Sequence, residues 1–262
     1  MINNGKIEKT AFLPLIDLAV DTDVPNATLL LERLINKKKW KTSGNAYLAE
    51  SRYKGSEAII KLNKYKQVLE LGSGFTPHAI NLGKAIEKYI EVDYSSNLVI
   101  KEKLINKIFK DKNNNTSYIA GDIFKNSVWR KISRKLLKEP IGIFAEGFMQ
   151  YTNKKQRAFL LEKIKVILIK NKGSFFFEDS LTFHPEFSNM VALKALSRKM
   201  SQISGNNNLL KYISQEELTK EFKDFGFKIK RIKAYSNLMS KSYNKKKAKL
   251  IIKNFKHWQL SL

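Results

Sequence analysis

Residues 68–80 of the chain, VLELGSGFTPHAI, decide its fold. They begin with an apolar run and continue into the tight turn Gly72-Ser73-Gly74. Glycine is favoured at such turns because it adopts backbone angles that other residues avoid and leaves room for a close approach. The stretch is therefore typical of a buried strand that ends in a sharp turn and leads into a helix, which Thr76 is expected to cap.

From residue 65 onward, segments with strand character alternate with segments of helical periodicity. The sequence predicts strands at 66–71, 88–92, 117–120, 141–145 and 174–178. It predicts helices at 77–87, 96–109, 129–137, 154–170 and 217–225. Such alternation indicates a parallel sheet with helices on both faces. Two later strands, at 227–234 and 258–262, are expected to pair antiparallel at the edge, so the predicted fold class is α/β, a Rossmann-like, mostly parallel sheet with an antiparallel edge strand.

The N-terminal quarter of the chain has a different character. Residues 27–39 and 45–61 carry apolar side chains at helical spacing. We therefore expect residues 1–64 to form a helical cap and residues 65–262 to form the main domain. Within that domain, a segment at about 181–212 is expected to be inserted as a lid over the sheet.

The composition excludes several kinds of site. The chain has no cysteine, which rules out disulfides and thiolate chemistry, and its three histidines are too widely separated for a metal pair. The first 20 residues are interrupted by Glu8, Pro14 and Asp17, unlike a signal peptide. No apolar run approaches the roughly 18 residues that a bilayer-spanning helix needs. We therefore expect a soluble, cytoplasmic protein without a metal.

The net charge of +25 raises the question of nucleic acid as a partner. Lysine and arginine together number 49, but only seven of these residues are arginine. Proteins that read bases and phosphates rely on the planar fork of arginine, so this excess of lysine favours a compositional origin of the charge. We expect no nucleic-acid partner, although attraction to acidic surfaces follows from the charge in any case.

The residues around the glycine turn indicate what the turn can hold. A dinucleotide-binding fingerprint requires glycine at the position of Pro77, and no Gly-Lys-Ser/Thr signature of a phosphate loop follows. Glu70 precedes the turn by two residues; its carboxylate repels a pyrophosphate and suits an ammonium group. These features favour a nucleoside cofactor with a cationic tail, such as S-adenosylmethionine, over a turn without a ligand.

Two more acids follow the ends of the next two predicted strands. Asp93 lies 19 residues after Gly74, where a carboxylate can accept hydrogen bonds from both ribose hydroxyls. Asp122 ends the third strand, where it can accept the adenine amino group while Ile123 lies on the ring. Acids at three successive strand ends are a more specific pattern than any one of them.

With FAEGFMQY at residues 144–151 added to the glycine turn and to Glu91-Val92-Asp93, the chain resembles the leucine carboxyl methyltransferase family. The resemblance covers about residues 45–180, includes Lys101, and implies a class I methyltransferase that uses S-adenosylmethionine. The cofactor-binding residues predicted from the turn, the strand ends and the resemblance are Glu70, Gly72, Ser73, Gly74, Asp93, Tyr94, Asp122, Ile123, Glu146 and Gly147.

The chain departs from the pattern of this family at two places. Thr76, Pro77 and His78 stand where many bacterial members have Asp-Thr-Arg, and Asn81 stands where a second arginine is typical. The chain therefore lacks both of those arginine charges in its sequence, and the usual substrate of the family does not carry over directly.

The implied reaction is displacement at a sulfonium methyl group by a nucleophile of the substrate, which we expect to be oxygen. The predicted catalytic residues are Arg52, which can hold an acidic group by a bidentate pair, and Tyr151, which can position the substrate. A carboxylate acceptor needs no base, whereas a hydroxyl acceptor does, and His184 is a candidate for that base.

The methyl acceptor is left open by the sequence. We expect a carboxyl or hydroxyl group of a small molecule or a peptide. The alternatives are a nucleic-acid methyltransferase, suggested by the charge, and a non-catalytic binding protein on a methyltransferase scaffold, suggested by the missing arginines.

Overall fold

The computed structural model of the protein describes residues 8–35, 42, 46–109, 115–178, 213–233 and 256–262. These residues contain one seven-stranded sheet with the strand order β3-β2-β1-β4-β5-β7-β6. The strands are β1 (Gln67–Leu71), β2 (Lys88–Asp93), β3 (Thr116–Ala120), β4 (Ile141–Ala145), β5 (Gly173–Glu178), β6 (Lys228–Lys233) and β7 (Lys256–Ser261).

The first five strands are parallel to their neighbours, and β1 lies between β2 and β4. The chain order reverses between β1 and β4, and ligands of open α/β sheets bind in the crevice outside the carboxyl ends of the strands at such a point. The predicted Rossmann-like, mostly parallel sheet is confirmed.

The antiparallel pairing of the last two strands at the edge of the sheet also follows the prediction. β7 is antiparallel to both β5 and β6, so that it lies inside the sheet and β6 forms the edge. Trp258 and Leu260 of β7 are fully buried, as an inner strand requires. β6 has the sequence KIKRIK, and lysine on an edge strand discourages pairing with another chain.

Eight α-helices surround the sheet in the described part of the chain. They are α1 (Phe12–Asp21), α2 (Ala27–Leu34), α3 (Ala46–Leu62), α4 (His78–Leu82), α5 (Ser95–Ile108), α6 (Asn126–Lys135), α7 (Lys154–Asn171) and α8 (Gln215–Asp224). Most lie where the periodicity predicts them. The proposed lid at 181–212 lies outside the described residues.

The start of α4 differs from the prediction. The expectation that Thr76 caps this helix is wrong, because its hydroxyl turns inward to the carboxylate of Glu70 and to the carbonyl of Ser73, at 3.2 and 3.1 Å. Pro77 stands at the N-cap position, and no side chain caps the helix. The side chain of Thr76 thus stabilises the turn rather than the helix.

The N-terminal helices share a hydrophobic core with the part of the sheet domain that follows the glycine turn. Leu15 and Leu18 of α1 pack in one cluster with Phe75 and Ile80, which come directly after the turn. Phe12 stacks on Phe75 with ring centroids 4.3 Å apart. These contacts place the N-terminal helices beside the carboxyl ends of the strands.

Among the residues that the structure describes, no helix is long and apolar enough to cross a bilayer. In the same ranges, no group of three or more His, Asp or Glu side chains is arranged to hold a metal ion.

Helix α3 packs closely onto the sheet at Gly55. A Cβ atom at this position would lie 2.3 Å from the imidazole Cε1 of His257, which is fully buried on β7. Real Cβ atoms do not come so close to another atom, so Gly55 is required by the packing rather than by the helix.

We predict that Gly55→Ala lowers the free energy of unfolding by about 1–3 kcal/mol, because overpacking of a rigid site outweighs the higher helix propensity of alanine. Urea denaturation monitored by circular dichroism measures the change. Leu62→Ala, at a side chain 68% exposed on the same helix, serves as the control and should have little effect. An unchanged or higher stability of Gly55→Ala would contradict the packing argument.

Candidate active site

The glycine turn is tied to the end of β2 by backbone hydrogen bonds. The N–H groups of Gly72 and Ser73 donate to the carbonyl of Val92 at 2.8 and 3.2 Å. Gly72 has a φ angle of 71°, and a Cβ atom there would lie 2.8 Å from the ring of Phe148. The first glycine is thus needed both for its backbone angle and for the approach of this aromatic ring.

A buried ion pair supports the turn from behind. The Nζ atom of Lys101 lies 2.6 Å from the carboxylate of Glu91 and 3.5 Å from the carbonyl of Ser73, to which it donates. Lys101 and Glu91 are 2% and 1% exposed, so both charges depend on each other. The EVD and Lys101 positions noted in the sequence therefore serve to fix the turn.

Asp93 connects the turn to the next helix. Its carboxylate accepts hydrogen bonds from the N–H groups of Gly74, at 2.7 Å, and Tyr94, at 2.6 Å, and from the amide of Asn97 at 3.3 Å. Burial raises the pKa of this carboxyl group despite these donors. An ionised carboxylate has about four acceptor positions, so hydrogen bonds remain available for a ligand.

Asp122 lies at the end of the neighbouring strand. Its Oδ1 accepts a hydrogen bond from the N–H of Phe124 at 2.9 Å. The side chain of Ile123 is 6% exposed and belongs to the main hydrophobic core, while its carbonyl accepts the indole N–H of Trp129 at 2.7 Å. The structure brings Asp93 and Asp122 to adjacent strand ends, since β2 and β3 are paired.

Glu70 lies below the turn in the fully buried strand β1. Its two carboxylate oxygens accept hydrogen bonds from Thr76 at 3.2 Å and from the hydroxyl of Tyr89 at 2.7 Å. Burial raises the pKa of Glu70 to about 7, an effect that nearby His78 and Lys101 oppose. Contact between Glu70 and a cationic ligand stays a prediction. The observed hydrogen bonds show Glu70 supporting the glycine turn from below.

The raised pKa of Glu70 predicts a pH-dependent stability. In the folded protein the pKa of Glu70, about 7, exceeds its ordinary value of 4.5. The contribution of Glu70 to the free energy of unfolding is therefore greatest below pH 4.5 and is lost as the pH rises through 7. Glu70→Gln, which cannot ionise, should therefore gain about 2–3 kcal/mol of stability relative to wild type between pH 4.5 and 7.5. Urea denaturation across this range tests the expectation.

Glu216→Gln, on the exposed first turn of α8, is the matched control for Glu70→Gln. Its side chain is exposed, so the substitution should change the free energy of unfolding little. Parallel pH curves for Glu70→Gln and wild type would show that Glu70 ionises as readily in the folded chain as in the unfolded one.

Glu146 follows β4 and binds a histidine rather than standing alone. Its Oε2 lies 3.0 Å from Nε2 of His78, whose Nδ1 lies 3.6 Å from the carboxylate of Glu57. These carboxylates, together with Glu70, raise the pKa of His78 to about 10 although burial opposes it. The surrounding carboxylates therefore favour the protonated imidazole at the position where many family members carry arginine.

Asn81, at the position of the second missing arginine, has a different role. Its side chain donates to the hydroxyl of Tyr53 at 2.7 Å and to the carbonyl of Pro25 at 2.8 Å, and it accepts from Asn26 at 2.7 Å. Asn81 thus joins the N-terminal helices to the sheet domain, and this charge is not replaced.

Arg52 and Tyr151 lie near Glu178, which ends β5. Nη1 of Arg52 is 3.9 Å from Oε1 of Glu178, and the same oxygen accepts the N–H of Gly147 at 2.9 Å. The hydroxyl of Tyr151 donates to Oγ1 of Thr10 at 3.3 Å, and burial raises the pKa of Tyr151. The two predicted catalytic residues therefore share one region, which the N-terminal segment covers.

Three charged residues of the site were missed by sequence reasoning. Glu178 ends a strand, as Asp93 does, and that signal could have found it. Glu57 and the charge of His78 carried no local signal, since only packing brings α3, α4 and the end of β4 together. His184, the candidate base, lies outside the described residues.

The family model described as leucine carboxyl methyltransferase matches residues 35–165, half of the chain. This chain belongs to the leucine carboxyl methyltransferase family. The resemblance drawn from LGSGF, EVD and EGFMQY is confirmed, and the protein is an S-adenosylmethionine-dependent methyltransferase. A sequence comparison with curated proteins found no match.

Solved structures similar to this family member share its fold at low sequence identity. A putative methyltransferase from Thermobifida fusca is 15% identical, with a TM-score of 0.60 over 96% of this chain and 93% of its own. A DUF574 family protein from Streptomyces avermitilis is 11% identical, with a TM-score of 0.58 over 96% of both chains. Magnesium protoporphyrin IX methyltransferase from Synechocystis, with bound S-adenosylmethionine, is 8% identical, with a TM-score of 0.53 over 100% of this chain and 98% of its own.

Proposed function

We propose that this methyltransferase methylates an oxygen atom of an acidic acceptor, a carboxyl group being the best fit. The observation that carries the proposal is the position of Arg52 beside Gly147 and Glu178, at the end of the crevice. Its Nε atom is buried and has no hydrogen-bond partner among the described residues. A buried guanidinium N–H without a partner is costly, and a carboxylate ligand would satisfy it by a bidentate pair.

The residues around the crevice fit S-adenosylmethionine. The glycine turn has the left-handed backbone angles that let main-chain atoms approach a ligand, and acidic side chains surround it. We propose that Gly72, Ser73 and Gly74 lie along the cofactor, with Asp93 and Tyr94 at the ribose. Acidic groups at this place suit a cofactor with a cationic tail and disfavour one with phosphates.

The remaining cofactor contacts come from the ends of β3 and β4. We propose that Asp122 accepts a hydrogen bond from the adenine amino group and that Ile123, which belongs to the hydrophobic core, packs against the adenine ring. Glu146 and Gly147 are assigned to the amino-acid tail, where the Glu146 carboxylate pairs with the ammonium group. Glu70 supports this arrangement from beneath the turn.

The mechanism follows from positioning. When bound, S-adenosylmethionine supplies an electrophilic methyl group on a positively charged sulfur. Arg52 orients the acceptor carboxylate, and the hydroxyl of Tyr151, held by Thr10, lies on the same side. A carboxylate nucleophile needs no base, and orientation together with exclusion of water is the main contribution that the protein makes.

The placement of the cofactor predicts different effects of two acids. Asp93→Ala should weaken binding of both S-adenosylmethionine and adenosine by about 100-fold, since both carry the ribose. Glu146→Gln should weaken S-adenosylmethionine by about 30-fold and leave adenosine unchanged, since adenosine lacks the tail. Calorimetry measures the dissociation constants of both ligands for both variants, four in all. A competition titration is used for whichever ligand binds weakly.

Asp224→Ala, at the end of α8, is the control for these binding measurements and should leave both dissociation constants unchanged. Loss of adenosine binding in Glu146→Gln would place Glu146 at the nucleoside instead of the tail. An unchanged affinity of Asp93→Ala for adenosine would refute the ribose position.

The nature of the acceptor is tested with a panel of carboxylic acids, phenols and amines. The assay measures release of S-adenosylhomocysteine, and the product is then treated with mild base. A carboxyl methyl ester releases methanol under these conditions, whereas methyl ethers and methylamines do not. A base-stable product would overturn the carboxylate assignment, and a base-stable methylamine would overturn O-methylation.

Arg52→Lys gives the corresponding test of the acceptor site. Lysine keeps the charge but loses the fork, so the KM for a carboxylate acceptor should rise about 10-fold or more with an unchanged dissociation constant for S-adenosylmethionine. The opposite result, weaker cofactor binding with an unchanged KM, would assign Arg52 to the carboxylate of the cofactor.

A further inference from the structure

His78 lies in a pocket formed by two carboxylates and two aromatic rings. Its side chain is fully buried, stacks on Tyr53 with ring centroids 3.8 Å apart at an interplanar angle of 8°, and meets Phe144 edge-on at 5.1 Å. Its two ring nitrogens point to Glu146 at 3.0 Å and to Glu57 at 3.6 Å. Stacking on Tyr53 thus fixes the plane of the imidazole ring, and the two carboxylates fix the orientation of its nitrogens within that plane.

The charge of the ring is set by the groups that face it. Glu57 and Tyr53 come from α3, Glu146 from the end of β4 and Glu70 from β1, and all three carboxylates favour the protonated imidazole. Glu57 and Glu146 have side chains only 12% and 7% exposed, so each needs a compensating cation. A neutral aromatic ring would fill the same space and leave Glu146 without the cation at 3.0 Å, whereas Glu57 would keep Lys61, also at 3.0 Å.

We propose that His78 is a positioning residue for the cofactor tail: its imidazolium fixes the side chain of Glu146 at the end of β4, so that Glu146 can bind the ammonium group of S-adenosylmethionine. The inference rests on the proposed function, because it requires Glu146 to contact that tail. It adds that the contact depends on a residue that does not itself touch the cofactor.

A double-mutant cycle tests the proposal. The dissociation constants of S-adenosylmethionine and adenosine are measured for wild type, His78→Gln, Glu146→Gln and the double variant. His78→Gln should weaken S-adenosylmethionine about 10-fold and leave adenosine unchanged, because only the tail loses its partner. The double variant should bind S-adenosylmethionine as Glu146→Gln does, within about threefold, since His78 acts through Glu146.

Three results would overturn the role of His78. These are an unchanged affinity of folded His78→Gln for S-adenosylmethionine, an equal loss for adenosine, and independent effects that multiply in the double variant. Two other results would refute the proposed function itself. These are a wild-type protein that does not bind S-adenosylmethionine and a Glu146→Gln variant that binds it as tightly as wild type does. Loss in Glu146→Gln without loss in His78→Gln would refute the positioning role alone.

A measurement on the wild-type protein keeps the test decisive if His78→Gln does not fold. Nitrogen-15 NMR of the histidine rings at pH 8 distinguishes the imidazolium from the neutral ring, and contact with Tyr53 identifies the signal of His78. Both ring nitrogens should be protonated at this pH. A neutral His78 ring at pH 8 would overturn the proposal, because a neutral ring supplies no charge to Glu146.

Discussion

The site depends on the closure of the glycine turn onto the end of β2. Two backbone N–H groups of the turn bind the carbonyl of Val92, and a third, from Gly74, binds Asp93. From behind, Lys101 donates to the carbonyl of Ser73 while paired with Glu91. These contacts fix the path of the main chain at the topological switch point, and therefore fix which atoms a ligand meets there. The side chains at the neighbouring strand ends keep their positions relative to one another because this turn is fixed.

A second constraint is the balance of buried charge around the turn. Glu57, Glu91 and Glu146 are each paired with a buried cation, either His78 or Lys101, at distances of 2.6–3.6 Å. Removing water from a charge is costly, and each pair offsets this cost by direct contact. The acidic side chains around the turn suit a cofactor whose tail is cationic. The same acids would repel a pyrophosphate, so the electrostatics support the cofactor class independently of the family match.

The N-terminal helices complete the site rather than merely preceding it. Phe12 stacks on Phe75 directly after the turn, and Thr10 accepts a hydrogen bond from Tyr151. Asn81, where an arginine is typical of the family, instead binds the segment that leads into α2. At the positions of the two missing arginines, the chain has a histidine whose protonated form buried carboxylates favour and an amide that holds the N-terminal segment. Loss of the family residues therefore does not by itself imply loss of activity.

The sequence alone determined the alternating strands and helices, the glycine turn and the acids at the strand ends, because each of these is a local pattern along one element. It also indicated the family through EGFMQY. Only the tertiary structure decided that β7 lies between β5 and β6, that Thr76 binds Glu70 instead of capping a helix, and that buried carboxylates raise the pKa of His78. Such features depend on which distant segments pack together, and the protonation of a buried ring is set by carboxylates that come from three separate elements.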